Sequence, residues 1–193
     1  MSYFSQDQLT EIGFKKLGEN VQISKKTSIY GADKIEIGTN VRVDDFSILS
    51  AGEGGLKLGD NVHIACFCSL IGQAEIELKD FSGLSSRVSI YSSSDDYSGR
   101  TLTNPTVPAE FTNVDSRKVV LGKHCIVGSG SVVLPGITIN DGVAVGALSL
   151  VTKSLEEWAI YIGSPAKKIG NRSRSCLDYE HQYKEQYKVD FNE

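Results

Sequence analysis

The sequence predicts an all-β fold, a parallel β-helix wound from six-residue repeats. Three observations predict it. From Leu121 onward an aliphatic residue leads every hexad: Leu121, Val127, Val133, Ile139, Val145 and Val151. The fifth place of those hexads holds a small or β-branched residue, namely Cys125, Ser131, Ile137, Val143 and Ser149. Glycine occurs 19 times against 4 prolines, and the apolar residues are rich in Val and Ile, which suits many short strands between turns. A period of six matches neither a helix nor an alternating strand. It matches a chain that bends every six residues, so that three edges close a triangular coil of roughly 18 residues. The lead residue then points into the prism and the fifth packs beside it.

The elements follow in order. Residues 1–16 hold a helix-like stretch, Ser5 to Ile12, with Ser5 as N-cap, expected to cover the first coil. The coil domain spans 17–170. Its earlier leads are Leu17, Ile23 and Ile29; Ile37, Val43 and Leu49; Leu58, Ile64 and Leu70; Leu78, Leu84 and Ile90. Glycine follows the lead at Gly18, Gly38, Gly59, Gly122, Gly128 and Gly146, where it is expected to relieve unusual corner dihedrals. Ala51 to Gly55 forms a small bulge. Residues 92–117 are polar, carry no hexad and make a protruding loop of the kind that holds function. After Gly163-Ser164-Pro165 the repeat stops. Residues 171–193 form a C-terminal helical tail, with Leu177, Tyr183 and Tyr187 on one face, expected to pack on the prism or cap its open end.

Composition excludes several classes. The net charge is −4 with 23% charged residues, so no basic excess speaks for nucleic acid. No apolar run is long enough to span a bilayer, and the N-terminus lacks signal-peptide features, which makes the cytoplasm the expected location. The four cysteines show no zinc-type spacing, and Cys68 and Cys125 fall on fifth, core-facing places. No metal site is expected. A γ-type carbonic anhydrase would need three histidine ligands, two of them close in sequence, and His63, His124 and His181 do not fit.

Two segments carry a resemblance. They are Val145-Gly146-Ala147-Leu148-Ser149-Leu150-Val151-Thr152-Lys153 and Gly163-Ser164-Pro165-Ala166-Lys167-Lys168-Ile169. In sequence and separation they resemble the ending of the hexapeptide-repeat acyltransferases, nearest to the sugar O- and N-acetyltransferases of the galactoside-acetyltransferase and O-antigen type. The resemblance implies a left-handed coil, a homotrimer with sites between neighbouring prisms, acetyl-CoA as co-substrate, and a sugar or nucleotide-sugar acceptor, as in surface-polysaccharide and lipopolysaccharide biosynthesis. Carried over by matching position, Ser129, Ala147, Thr152, Lys153 and Lys167 would contact the coenzyme. The two lysines would meet its phosphates as point charges.

The match departs from the family where the catalytic histidine is usual: that place falls on Asp95. Asp95 or Asp96 could act as base or orienting carboxylate. Alternatively His63, just before lead Ile64 and expected one coil below Asp95, could pair with it as base and orienter. An amine acceptor could also need only water and a carboxylate. His63 with Asp95 is the favoured reading. Arg87, Tyr91 and Asn104 are expected to line the acceptor site. The galactoside-contacting positions fall on Ala65 and Gln73, which argues against galactosides. A non-catalytic binding β-helix is the competing class.

Overall fold

The computed structural model describes residues 2–187; Met1 and the last part of the expected tail, 188–193, lie outside the described residues. The chain is a parallel β-solenoid of about seven turns with three faces and two helices. The first face stacks Lys16–Leu17, Ile35–Ile37, Leu56–Leu58, Ile76–Leu78, Val119–Leu121 and Thr138–Ile139. The second stacks Gln22–Ile23, Arg42–Val43, His63–Ile64, Gly83–Leu84, Ile126–Val127, Ala144–Val145 and Ala159–Ile162, and ends in the antiparallel Lys167–Asn171. The third stacks Ser28–Tyr30, Ile48–Ala51, Ser69–Gly72, Ser89–Tyr91, Val132–Val133 and Leu150–Val151.

The hexad leads set the register. Leu17, Ile37, Leu58, Leu78, Leu121 and Ile139 pair down the first face. Ile23, Val43, Ile64, Leu84, Val127 and Val145 do so down the second. All of these but Leu17 are buried, as are the fifth-place residues Cys68, Cys125, Ser131, Ile137, Val143 and Ser149. Burial pushes the Cys68 and Cys125 thiols up to about 11, so they behave as small apolar filling. Extra residues enter at one corner only, between the third and first faces. There the bulge near Ala51–Gly55 and the long loop both emerge, while the stacked edges keep their register.

The glycine expectation needs correcting. Gly18, Gly38, Gly59, Gly122, Gly128 and Gly146 do not adopt positive φ. They are required because coils approach closely: a Cβ on any of them would stand within 3 Å of an atom in the next coil. The left-handed turns come two residues later, at Asn20, Asn40, Asn61, Phe81, His124, Gly142 and Trp158 on the corner after the first face. Phe46, Phe67, Arg87, Gly130 and Leu148 fill the corner after the second face.

One helix covers the first coil and the other lies along the side of the prism. Helix α1 (Gln6–Ile12) starts in a capping box: Ser5 Oγ accepts from the Gln8 amide, and the Gln8 side chain accepts from the Ser5 amide. It buries Leu9 beneath the first coil. Helix α2 (Cys176–Tyr187) lies along the corner after the first face rather than over an open end. The Tyr183 hydroxyl donates to Asn61 Oδ1, and the Tyr183 ring meets Phe81 edge-on. His124 Nε2 contacts Glu180 Oε2 at 2.7 Å. Just before the helix, Arg172 donates to the carbonyls of His124, Gly142 and Val143.

Candidate active site

Two surfaces hold the expected site residues. The first is a shallow groove of about 290 Å³ on the second face, lined by His63, Ala65, Gly83, Ser85, Ser86 and Ser129 among others. Here the coil geometry stacks small residues. The amides of Arg87, Gly130 and Leu148 donate to the carbonyls of Cys66, Ser86 and Ser129 in the coil below. Cys66, Ser86, Ser129 and Ala147 therefore form a ladder along one edge. Hydrogen bonds between the coils hold its backbone, and only short side chains project, so an extended chain can lie against it. Thr152 and Lys153 follow the strand Leu150–Val151, and Lys167 opens the terminal strand, all exposed at the upper end. Neither Lys153 nor Lys167 has an ion-pair partner among the described residues, so both charges are available to an anion.

The second surface is a cleft of about 560 Å³ between the long loop and the corner from which it emerges. Ile71, Gln73, Ser93, Asp95, Asn104 and Val114 are among its lining. The loop base is fixed by Ser93–Ser94 pairing antiparallel with Asp115–Ser116. Asp96 accepts from the amide and hydroxyl of Ser98 and from the Thr101 hydroxyl. These bonds, led by the Ser98 hydroxyl, hold its carboxyl below the usual range. Asp96 thus organises the loop, while Asp95 is part of the cleft lining. Asn104 takes a left-handed turn and accepts from Thr106 through Oδ1. Tyr91 ends the third-face strand in register with Ile71 of the cleft. Arg87 lies away from the cleft, on the corner after the second face, with its guanidinium 5.2 Å from the Phe67 ring centroid.

The expected pairing of His63 with Asp95 does not occur within one chain. The residues that stack on His63 are Arg42 below and Gly83 above. Asp95 lies past the third face, beyond one full coil, because each early coil runs through three faces before returning. His63 instead pairs with Asp44, Nε2 to Oδ2 at 3.0 Å, and Arg42 Nε donates to Asp44 Oδ1 at 2.7 Å. Asp44 is buried. Burial raises its carboxyl, but the His63 and Arg42 hydrogen bonds outweigh this and hold it below the usual value. Asp44 was not singled out from the sequence. The available signal was a carboxylate directly after lead Val43, where other second-face coils carry Ser24, Ala65, Ser85, Gly128 and Gly146. No group of three or more metal-ligating side chains stands together among the described residues.

A three-sided parallel coil with a small-residue groove, unpaired lysines at one end of it and a protruding loop is the scaffold of a transferase of the hexapeptide type. No protein-family model matches the chain. The dTDP-4-amino-4,6-dideoxy-D-glucose acyltransferase of Escherichia coli is 50% identical over 184 residues, covering 95% of this chain and 96% of that one. The crystal structure of AntD, an N-acyltransferase from Bacillus cereus, in complex with dTDP and 3-hydroxybutyryl-CoA superposes with a TM-score of 0.92 at 43% identity, covering 97% of this chain and 99% of that one. The putative lipopolysaccharide biosynthesis O-acetyl transferase WbbJ of E. coli (strain K12) is 28% identical over 74% of this chain and 71% of its own. The chain belongs to the hexapeptide-repeat acyltransferases. It is an enzyme that takes its acyl group from a coenzyme A thioester.

Proposed function

We propose that the acceptor is a dTDP-linked 4-amino-4,6-dideoxy sugar and that the product is its N-acetyl amide. What supports this is the end-to-end likeness, at 50% identity, to an acyltransferase whose name carries that acceptor. The coenzyme lies along the ladder Ser129–Ala147, with Thr152, Lys153 and Lys167 at its phosphate end. The sugar amine enters as the free base, an N–H hydrogen-bonded to the Asp95 carboxylate, with Asn104 and Tyr91 beside it. The amine nitrogen attacks the thioester carbonyl and a C–N bond forms. The C–S bond then breaks, and coenzyme A leaves as a thiolate. The proton lost by nitrogen passes to His63, held by Asp44, and then to the departing sulfur. A positioned base of this kind contributes typically ~10²–10⁴-fold.

The groove with His63 and the cleft with Asp95 lie on opposite sides of one prism, since the loop springs from the corner facing the second face. Two copies around a three-fold axis would bring one chain's groove to the next chain's loop, so a homotrimer completes the site. A sugar product of this class suits surface-polysaccharide assembly, including the O-antigen of lipopolysaccharide, and a coenzyme A donor fits a cytoplasmic enzyme.

Steady-state assays with acetyl-CoA test the reading. The expected result is amide formation and thiol release with dTDP-4-amino-4,6-dideoxyglucose, and none with the 4-hydroxy counterpart. Thiol release with no nucleotide amino sugar, while coenzyme A still binds, would overturn it.

A further inference from the structure

The corner after the second face carries four aligned side chains, one per coil: Lys26, Phe46, Phe67 and Arg87. The Phe46 and Phe67 rings stack with centroids 5.0 Å apart and an interplanar angle of 18°. Lys26 Nζ stands 5.0 Å from the Phe46 centroid, and the Arg87 guanidinium 5.2 Å from that of Phe67. Both rings are half exposed, at 50% and 46%. Phe46, Phe67 and Arg87 all occupy left-handed backbone positions. On the neighbouring corner the equivalent places hold the ladder Asn20–Asn40–Asn61, and then Phe81, His124 and Trp158, which α2 and Arg174 cover. Bulky rings in strained positions, held out to solvent, are retained against the local preference. Lys26 is paired with Asp45. Arg87 has no ion-pair partner among the described residues.

We infer that this ladder is the docking platform for the nucleoside diphosphate part of the acceptor, the base against the outward edges of Phe46 and Phe67 and the diphosphate on Arg87. The inference rests on the nucleotide-sugar reading above and adds to it the recognition of the nucleotide. The order of the coils supports it. Arg87 shares its coil with Ser85 and Ser86 of the groove, where the thioester and the amine must meet. Phe67 lies one coil toward the N-terminus and Phe46 two, about 10 Å on at the usual strand spacing. Sugar, diphosphate and base follow one another in that sequence and over a similar span. The coenzyme occupies the same edge in the opposite direction, toward Ala147. Charge favours a nucleotide over a second copy of the chain, because an apolar contact here would bury Arg87 unpaired.

The test uses the intact protein and three probes: dTDP, thymidine and inorganic pyrophosphate. The variants are Phe46→Asn with Phe67→Asn, and separately Arg87→Asn; asparagine suits the left-handed position, so folding is preserved. The double variant should lose about tenfold or more in affinity for dTDP and thymidine, with pyrophosphate unaffected. Arg87→Asn should weaken dTDP and pyrophosphate and leave thymidine unchanged. In both, the acceptor KM rises by a similar factor, kcat stays within about twofold, and the mass by light scattering is that of the parent. Unchanged dTDP affinity in both variants would overturn the inference. So would a smaller oligomer in the double variant, which would make the ladder a contact between copies. Wild-type protein that binds dTDP but acylates no amino sugar would instead refute the function proposed above and leave the platform standing.

Discussion

At the scale of single residues, the proposed chemistry turns on which carboxylate holds His63. A buried carboxylate bridging an arginine and a histidine fixes the ring and leaves Nδ1 as the nitrogen not engaged by Asp44. His63→Ala should lower kcat about tenfold or more while the acetyl-CoA dissociation constant, measured calorimetrically, stays near the parent value. Parent-like turnover would remove His63 from the mechanism. Asp44 also ties stability to pH. Its folded carboxyl titrates below its unfolded value, so its contribution is present above the ordinary aspartate range and is lost as pH falls through the folded value. Asp44→Asn should flatten the acid limb of the stability curve, read by thermal melts between about pH 3 and 6. The buried leads were legible in the sequence because apolar spacing alone decides them. The pairing of His63 was not, because it depends on which face each hexad occupies, and the extra residues of the early coils hide that count. The glycines after the leads were legible as a pattern, but their cause was not. Only the stacked coils show that a Cβ, not a dihedral, is what cannot be tolerated.

At the scale of elements, helix α2 is held by a small number of polar contacts over an aromatic corner. Phe81 and His124 stack at 5.2 Å, Trp158 lies beside His124, and Arg174 covers the Trp158 ring. The sequence marked Leu177, Tyr183 and Tyr187 as one face. Tyr183 does the docking, while Leu177 and Tyr187 remain 40% and 61% exposed. That difference was beyond the sequence, since the surface receiving the helix is assembled from residues 40 to 158, far away in the chain. Arg172 anchors the turn before the helix by serving three carbonyls. Arg172→Ala removes the donor to the His124 and Gly142 carbonyls, while Val143 keeps the Ile126 amide, and unsatisfied carbonyls at a partly buried site cost about 1–3 kcal/mol. The expected outcome is a lower melting temperature together with a red shift of the emission from Trp158, the single tryptophan. An unshifted spectrum with an unchanged melting point would show that Arg172 holds nothing.

At the scale of the whole molecule, the repeat is one-dimensional, and function must come from what interrupts it. The single corner that admits insertions places the loop cleft on the side of the prism opposite the groove, so under the proposed function neither surface is a complete site. This gives the proposed trimer a test stronger than its mass. His63→Ala disables the groove of its own chain, and Asp95→Ala disables the cleft offered to a neighbour. If each site combines one chain's groove with the next chain's loop, trimers formed by co-expressing the two variants contain some sites with both residues intact. Random assembly at equal amounts predicts that about one quarter of the sites regain parent activity, above the residual rate of either variant alone. Separately purified and simply mixed variants should stay inactive until subunits exchange. If co-expression restores nothing although mixed trimers are isolated, the site is built within one chain, and the loop must reach the groove by a route this fold does not show.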